Sequence, residues 1–272
     1  MKINNKNITS SFYQIYDGYI FLLEFSKFLL IVDKKNFLLS IFYKSSLQVL
    51  NFICMLLPLK IILFLSPNQS LNEKLITTFN TKENLIISLC LLFLFFLGTT
   101  KILTNLILKS AAEKVDKIVK ISNKSIGDYR AQKIRNKIRT CSSCFSSIVL
   151  IFIFFVGISL VYRELAVITI ISILLSASFL KATKNLSLEN SHQQKKDSKS
   201  IINFHAELIF FASFSYVVIS GLLKPQDVIF FNLVIGMLLT RQITGLVSQL
   251  GKSLITLNNK NNFIIELLDN NK

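Results

Sequence analysis

The stretch FSSIVLIFIFFVGISLVYRELAVITIISILLSASFL, residues 145–180, holds two apolar blocks on either side of the short segment 162–164. Neither block, 145–161 or 165–180, contains a charged residue. A helix needs about 20 predominantly apolar residues to cross the hydrocarbon core, and each block reaches that length with one more turn. Unpaired peptide groups are costly in lipid, so both blocks are expected to be helical. The stretch therefore predicts a membrane-spanning helical hairpin.

Similar apolar blocks lie on both sides of this hairpin, and 51% of the whole chain is apolar. The six predicted spans are 46–66, 85–108, 145–161, 165–180, 203–222 and 226–248. Short turns pair them into three hairpins, and Pro67 and Pro225 mark two of these turns because proline does not readily continue a helix. The predicted fold class is all-α, a polytopic membrane protein with six transmembrane helices.

Basic residues are distributed unevenly between the connections, and the formal net charge is +16. Leaving aside Lys60 and Lys101, 25 Lys and Arg residues lie in the N-terminal segment, in 109–144, in 181–202 and from Arg241 onward, against 4 in the alternate connections. Basic loops stay in the cytoplasm, which predicts that both termini are cytoplasmic, in a bacterial inner membrane. Orientation therefore explains the charge better than binding to nucleic acid does.

The segment YIFLLEFSKFLLIV, residues 19–32, is apolar but too short to span, and it contains Glu24 and Lys27. These features are typical of a helix that lies in the plane of the interface. The predicted domains are a cytoplasmic N-terminus with this interfacial elbow helix, a six-helix membrane domain, and a cytoplasmic C-terminal helix. Their ranges are 1–42, 43–252 and 253–272.

The first basic connection, residues 109–141, keeps apolar residues at helical spacing and has no proline. This pattern predicts that helices continue out of the membrane and are broken near Gly127 and Asp128. A solvated basic linker is the alternative.

GLVSQLGKS, residues 245–253, is similar to the phosphate-binding loop G-x-x-x-x-G-K-[ST], but five residues instead of four separate its glycines. That loop follows a buried strand, whereas the residues before Gly251 form an apolar block of helical length. We therefore expect no ATP at this segment. Lys252 is predicted to mark the point where the last helix leaves the membrane, and Gly245 and Gly251 to allow close helix approach.

Three stretches, in this order, resemble the transmembrane domain of ATP-binding cassette (ABC) exporters. LLIVDKKNFLLSIFYKSSLQVLNFICMLLPLKII (29–62) is similar to the elbow and first helix, above all to those of lipid-linked oligosaccharide exporters. RELAVITIISILL (163–175) is similar to the start of the fourth helix. The last stretch, 220–269, is similar to the final hairpin turn, the sixth helix and a closing helix. Three departures are the absence of a nucleotide-binding domain after the sixth helix, a short 181–202 loop, and Arg241 where the family often has proline.

The resemblance implies a permease subunit that encloses a substrate path and catalyses no reaction itself. ATP and Mg would bind to a separate nucleotide-binding ATPase subunit, and the permease would form a homodimer or pair with a related permease. A short helix around Gly127, Asp128, Tyr129 and Arg130 would contact that ATPase, although an ordinary helix–helix turn is the alternative. A non-transporting membrane scaffold or assembly protein is the other function considered, and a membrane enzyme comes third.

Charged residues inside spans are the candidate substrate-path residues, since burial in lipid makes them costly. Lys60 and Arg241 are assigned to the path, with snorkelling toward headgroups as the alternative for Arg241 and for Lys101. We expect no catalytic, metal or cofactor site. Cys141 and Cys144 form a single C-x-x-C, which is weak support for a zinc or redox site.

Overall fold

The computed structural model describes residues 11–65, 81–121, 128–182, 191–223 and 230–257. Within these ranges the chain is helical and has no strand, which confirms the all-α prediction. The described helices are α1 (Ser11–Leu65), α2 (Lys82–Ile121), α3 (Asp128–Val161), α4 (Arg163–Ala182), α5 (Ser191–Leu223) and α6 (Phe230–Leu257).

Four of these helices are long and apolar enough to cross a membrane. The candidate spans are Glu83–Ile107 in α2, Gln132–Val161 in α3, Lys199–Leu222 in α5 and Leu233–Leu257 in α6. The chain is therefore a membrane protein by length and composition, with several candidate crossings. The predicted first and fourth spans lie inside α1 and α4, which are not among the four.

The predicted elbow segment, 19–32, forms the first part of α1, and Asp33 separates it from the remainder. Asp33 leaves the helical region, with φ −160° and ψ 71°, and its carboxylate accepts a hydrogen bond of 2.8 Å from the side chain of Asn36. This side chain sits where an N-cap would begin a second helix. The kink therefore divides α1 into an N-terminal segment, residues 11–32, and a longer segment that ends at Leu65.

Local signals in the sequence set two other helix boundaries. Thr81 accepts a hydrogen bond from the backbone N–H of Asn84 at 3.2 Å, which caps the start of α2. Tyr162 is the only residue between α3 and α4. Its backbone N–H donates to the carbonyl of Ile158 at 2.7 Å, and its carbonyl accepts from Ala166 at 3.3 Å. The predicted turn between these two apolar blocks is therefore present and very tight.

The helices pack around a central pair, α3 and α6. α1 lies against α2, α3 and α6, while α5 lies against α4 and α6. The connections are too short for parallel neighbours, so α2, α4 and α6 end where α3 and α5 begin. We call that end of the bundle the basic end, because the first turns of α3 there contain Lys133, Arg135, Lys137 and Arg139.

Two apolar clusters hold the bundle together. The basic-end cluster joins the N-terminal segment of α1 to the start of α3 and the end of α6, and its buried residues include Phe21, Leu22, Phe25, Ile134, Ile138, Cys141, Cys144, Leu254 and Leu257. The central cluster lies further along the bundle and includes Phe52, Leu150, Phe154, Ile158, Leu165, Leu239, Ile243 and Leu246. One face of the predicted interfacial segment is thus buried against protein, and the opposite face exposes Leu23, Leu30 and Ile31.

The helix bounds also bear on two further predictions from the sequence. Residue 253, predicted to begin a separate C-terminal helix, lies inside α6, which continues without a break to Leu257. Residues 258–272 lie outside the described residues. The helical extension of the first basic connection is confirmed, since α2 continues to Ile121 and α3 begins at Asp128.

Candidate functional site

Polar and charged residues recur along one side of α6. Arg241, Gly245, Ser248, Lys252 and Thr256 fall within an arc of about 80° at 3.6 residues per turn. We call this set the α6 stripe. The other side of the helix is buried in apolar packing through Leu239, Ile243, Leu246, Leu254 and Leu257. α6 therefore has an apolar side facing the bundle and a polar side along much of its length.

A cavity of about 280 Å³ lies along the basic-end half of the stripe, between α6 and α3. Its described lining consists of Thr140 from α3 and of Gly245, Ser248, Gln249, Lys252, Ser253 and Thr256 from α6. We call it the α6 groove. Among these seven residues six have polar side chains, one is cationic and none is acidic.

Hydrogen bonds fix the two walls of the groove. The Gln249 side-chain amide donates to the Ser143 hydroxyl of α3 at 3.2 Å, and the Ser248 hydroxyl donates to the Asn203 amide oxygen of α5 at 2.7 Å. Interhelical polar bonds of this kind hold helices together where the bilayer supplies no hydrophobic driving force. The groove therefore belongs to a defined contact between three helices.

The two glycines of the segment GLVSQLGKS differ in their surroundings. A Cβ added at Gly251 would lie 3.1 Å from two side-chain carbons of Ile202, so Gly251 does permit close approach of α5. A Cβ at Gly245 would meet no described heavy atom within 4 Å, so the predicted packing role is wrong for Gly245. It opens the groove instead. The segment is helical throughout, and its geometry is not that of a phosphate-binding loop.

Arg241 is exposed, and its guanidinium lies 4.9 Å from the centroid of the Phe210 ring on α5. It follows Leu233 by about 12 Å along the helix and precedes Leu257 by about 24 Å, at 1.5 Å per residue. The sequence predicted a span ending at residue 248, which would place Arg241 much nearer to the basic end. α6 instead continues to Leu257, because its polar residues lie on one side and leave an unbroken apolar side.

The Lys137 side chain joins three helices at the basic end of the bundle, beside the groove. The buried ammonium of Lys137 on α3 donates to the carbonyls of Thr256 and Leu257 at 3.2 and 2.7 Å, and it lies 5.1 Å from the centroid of the Phe21 ring. Carbonyls at a helix C-terminus have no intrahelical partner, and a cation there is favourable. Lys137, which lies near the start of α3, thus links the end of α6 to the N-terminal segment of α1.

A second polar cluster lies at the opposite end of the bundle. The Tyr216 hydroxyl donates to the Glu164 carboxylate, and the Tyr162 hydroxyl is hydrogen-bonded to Ser220. The two tyrosine rings are stacked with centroids 6.2 Å apart. These bonds fasten the α3–α4 turn to α5, which is a structural role.

The other predicted site residues are not brought into the groove by the described geometry. The backbone of Lys60 is helical, near the end of α1, but its side chain lies outside the described part of the structure. Asp128, Tyr129 and Arg130 begin α3, with side chains outside the description, and Gly127 lies outside the described residues altogether. Lys101 is exposed on α2.

The C-x-x-C lies in an apolar environment. Cys141 and Cys144 are fully buried in the basic-end cluster, and no group of three or more possible metal ligands occurs among the described residues. On α5, His205 is buried while Glu207 is exposed, so these two possible metal ligands face different directions. Small residues at a crowded helix contact account for the cysteines.

Sequence reasoning identified Arg241 but missed the groove residues Ser248, Gln249 and Thr256. The signal that could have found them is the recurrence of polar residues seven, eight, eleven and fifteen positions after Arg241. No protein-family model matches this chain, and neither a curated protein nor a solved structure matches it significantly.

Proposed function

We propose that the chain is the membrane-spanning permease subunit of an ABC-type exporter, and that the α6 stripe lines its substrate path. The observation that carries this proposal is the stripe itself. A helix long and apolar enough to cross a bilayer exposes Arg241, Gly245 and Thr256 on one face. Such a face is costly against lipid and is compatible with a water-filled path.

In this proposal the longer segment of α1 and the whole of α4 also span, which gives six crossings. α4 has 20 residues, or about 30 Å at 1.5 Å per residue, which equals the thickness of a typical hydrocarbon core. The N-terminal segment of α1 occupies the interface. Both termini are cytoplasmic, in a bacterial inner membrane, because the basic end carries the concentrated Lys and Arg.

ATP and Mg bind to a separate ATPase subunit in this proposal, following the resemblance to ABC exporters, and two permease chains enclose the path. α2 continues for 14 residues past its candidate span, or about 21 Å, so a helical connection extends from the basic end. Its tip, around Gly127, Asp128, Tyr129 and Arg130, is the proposed contact with the ATPase. Binding energy from ATP on the partner would favour one of two states of the path.

The proposal is tested by aqueous accessibility along α6. In a background where the four cysteines are replaced by alanine, single cysteines are introduced at Gly245 and, as the control, at Phe152 and Leu94. Phe152 is 70% exposed and Leu94 62% exposed, but both lie on apolar faces of candidate spans. Membrane vesicles are treated with a membrane-impermeant cationic thiol reagent, and unreacted thiols are counted with a polymer-linked maleimide.

A water-filled path predicts rapid labelling at position 245 and slow labelling at 152 and 94. In membranes that also contain the ATPase subunit, Mg-ATP should change the rate at 245 and leave the rates at the two control positions unchanged. Equal, slow labelling at all three positions would overturn the path and favour the scaffold function instead.

A further inference from the structure

The charge of the α6 groove is one-sided. Lys252 is the cation in its lining, and the other described lining residues are neutral. Arg241 continues the same stripe one helical turn beyond Gly245, or about 6 Å along the axis. A groove within a candidate span whose described lining has one cation and no carboxylate, with a second cation next to it on the helix, has an electrostatic potential that favours an anion.

The hydrogen-bonding capacity of the lining also favours an anion. The hydroxyl protons of Thr140 and Thr256 are donated to backbone carbonyls, of Asn136 and Lys252 respectively, both at 2.8 Å. The Ser248 hydroxyl is donated to Asn203, and the Ser253 hydroxyl is hydrogen-bonded to Cys144. The donors that remain toward the groove are the Lys252 ammonium, with three N–H groups, and the second N–H of the Gln249 amide. A ligand that accepts several charge-assisted hydrogen bonds matches these donors better than a cation or a neutral hydrocarbon does.

We propose that the α6 groove binds a phosphate-class oxyanion, held by Lys252 and Gln249; the inference rests on the transport path proposed above and names the chemistry of what enters it. A volume of about 280 Å³ corresponds to about nine water molecules at ~30 Å³ each. This volume admits a phosphate together with a few attached atoms. The open side at Gly245 lies next to Arg241 on the stripe, which gives the anion a second, exposed cationic position further from the basic end.

The same oxyanion could belong to the headgroup of an amphiphile or to a soluble compound. Two probes separate these sources: dihexanoyl phosphatidic acid, which is a lipid phosphate monoester, and inorganic phosphate. Dihexanoylglycerol is the matched control for the lipid, because it has the same acyl chains without the phosphate. Each is titrated against the full chain in phosphatidylcholine nanodiscs, and bound ligand is counted by native mass spectrometry.

Two variants test the site, one through its charge and the other through the space that it offers to a ligand. Lys252→Gln removes the charge, and Gly245→Leu fills the open side without meeting a described atom near its Cβ. Their matched controls lie on α2: Lys101→Gln removes an exposed lysine, and Gly98→Leu adds the same side chain where a Cβ also meets nothing within 4 Å. We expect at least a tenfold weaker apparent affinity in both groove variants and no change in the two controls, and Lys252→Arg should retain binding.

Loss of phosphatidic acid binding alone assigns the site to a lipid headgroup, and parallel loss of inorganic phosphate binding assigns it to the oxyanion itself. Dihexanoylglycerol binding as tightly as phosphatidic acid, or equal effects in groove and control variants, would overturn the proposal. If no probe binds while a cysteine at 245 is still labelled from water, the ligand class is wrong and the path stands. If a phosphate probe binds but a cysteine at 245 is not labelled from water, the anion site stands and the water-filled path is refuted.

Discussion

Gly18 gives the sharpest stability prediction, because two opposing effects of one methyl group can be compared there. Gly18 is buried in the N-terminal segment of α1, where this segment crosses the end of α6. A Cβ at Gly18 would lie 2.1 Å from the carbonyl oxygen of Leu254 and 2.7 Å from its carbonyl carbon. Both contacts are with backbone, so no side-chain rotation can relieve them.

The steric effect should exceed the gain in helix propensity. Alanine in place of glycine favours a helix by about 1 kcal/mol. Carbon and oxygen approach to about 3.3 Å at closest, so the two helices must separate by more than ~1 Å to admit the methyl group. Overpacking costs about 1–3 kcal/mol where side chains can adjust, and a contact between two backbones lies at the upper end of that range. We therefore expect Gly18→Ala to lower the free energy of unfolding by about 1–2 kcal/mol.

The assay is limited trypsin digestion of the purified protein in mild detergent, since the exposed residues Lys34 and Lys35 directly follow the kink at Asp33. Partial detachment of the N-terminal segment should raise the cleavage rate there about tenfold for ~1.4 kcal/mol, with the new N-termini identified by mass spectrometry. Gly98→Ala, whose Cβ meets nothing within 4 Å, is the matched control and should leave this rate unchanged. A Gly18→Ala protein as resistant as the unmodified chain would refute the close-contact reasoning.

Three further substitutions test the other polar contacts by detergent unfolding. Lys137→Met removes the cation that binds two terminal carbonyls of α6 and should cost about 2 kcal/mol, whereas Lys27→Met, at an exposed position on α1, should change stability little. Ser248→Ala removes the bond to Asn203 and should cost about 0.6 kcal/mol, the average for interhelical polar bonds in membranes; a cost above ~2 kcal/mol would show that the groove wall depends on it. Tyr216→Phe should cost a similar amount and leave phosphatidic acid binding unchanged, because its hydroxyl bonds a carboxylate at the end opposite the groove.

The helical character of the chain and the position of several helices could be predicted where apolar blocks are bounded by clear signals. The tight turn at Tyr162 and the spans near 85–108 and 203–222 agree with the structure to within a few residues. Amphipathic spacing also predicted that α2 and α3 continue beyond the apolar blocks and that α3 begins near Asp128. In each case a pattern that is continuous in the sequence determines the outcome.

The end of α6 could not be predicted from apolar content, because its last turns are polar on one side. Ser248, Gln249 and Lys252 lower the apolar content of that region, which led the predicted span to end at residue 248. Leu254 and Leu257 are nevertheless buried in the basic-end cluster with residues of α1 and α3, and this tertiary packing extends the helix. The groove was missed for the same reason, since its α3 wall is 105 residues away from Gly245 in sequence.

Arg241 is the strongest argument for the proposed water-filled path along the exposed side of α6. An arginine at the centre of a spanning helix costs about 2.5–3.5 kcal/mol on the insertion scale. Its contact with the Phe210 ring returns about 0.5–2 kcal/mol, which is less than that cost. In the proposed path the remainder comes from water, because lipid chains offer no hydrogen-bond acceptors. Lys252 lies on the same side about 16 Å further along, so whatever covers the stripe must satisfy both cations. A path that is open to water and visited by an anion satisfies both.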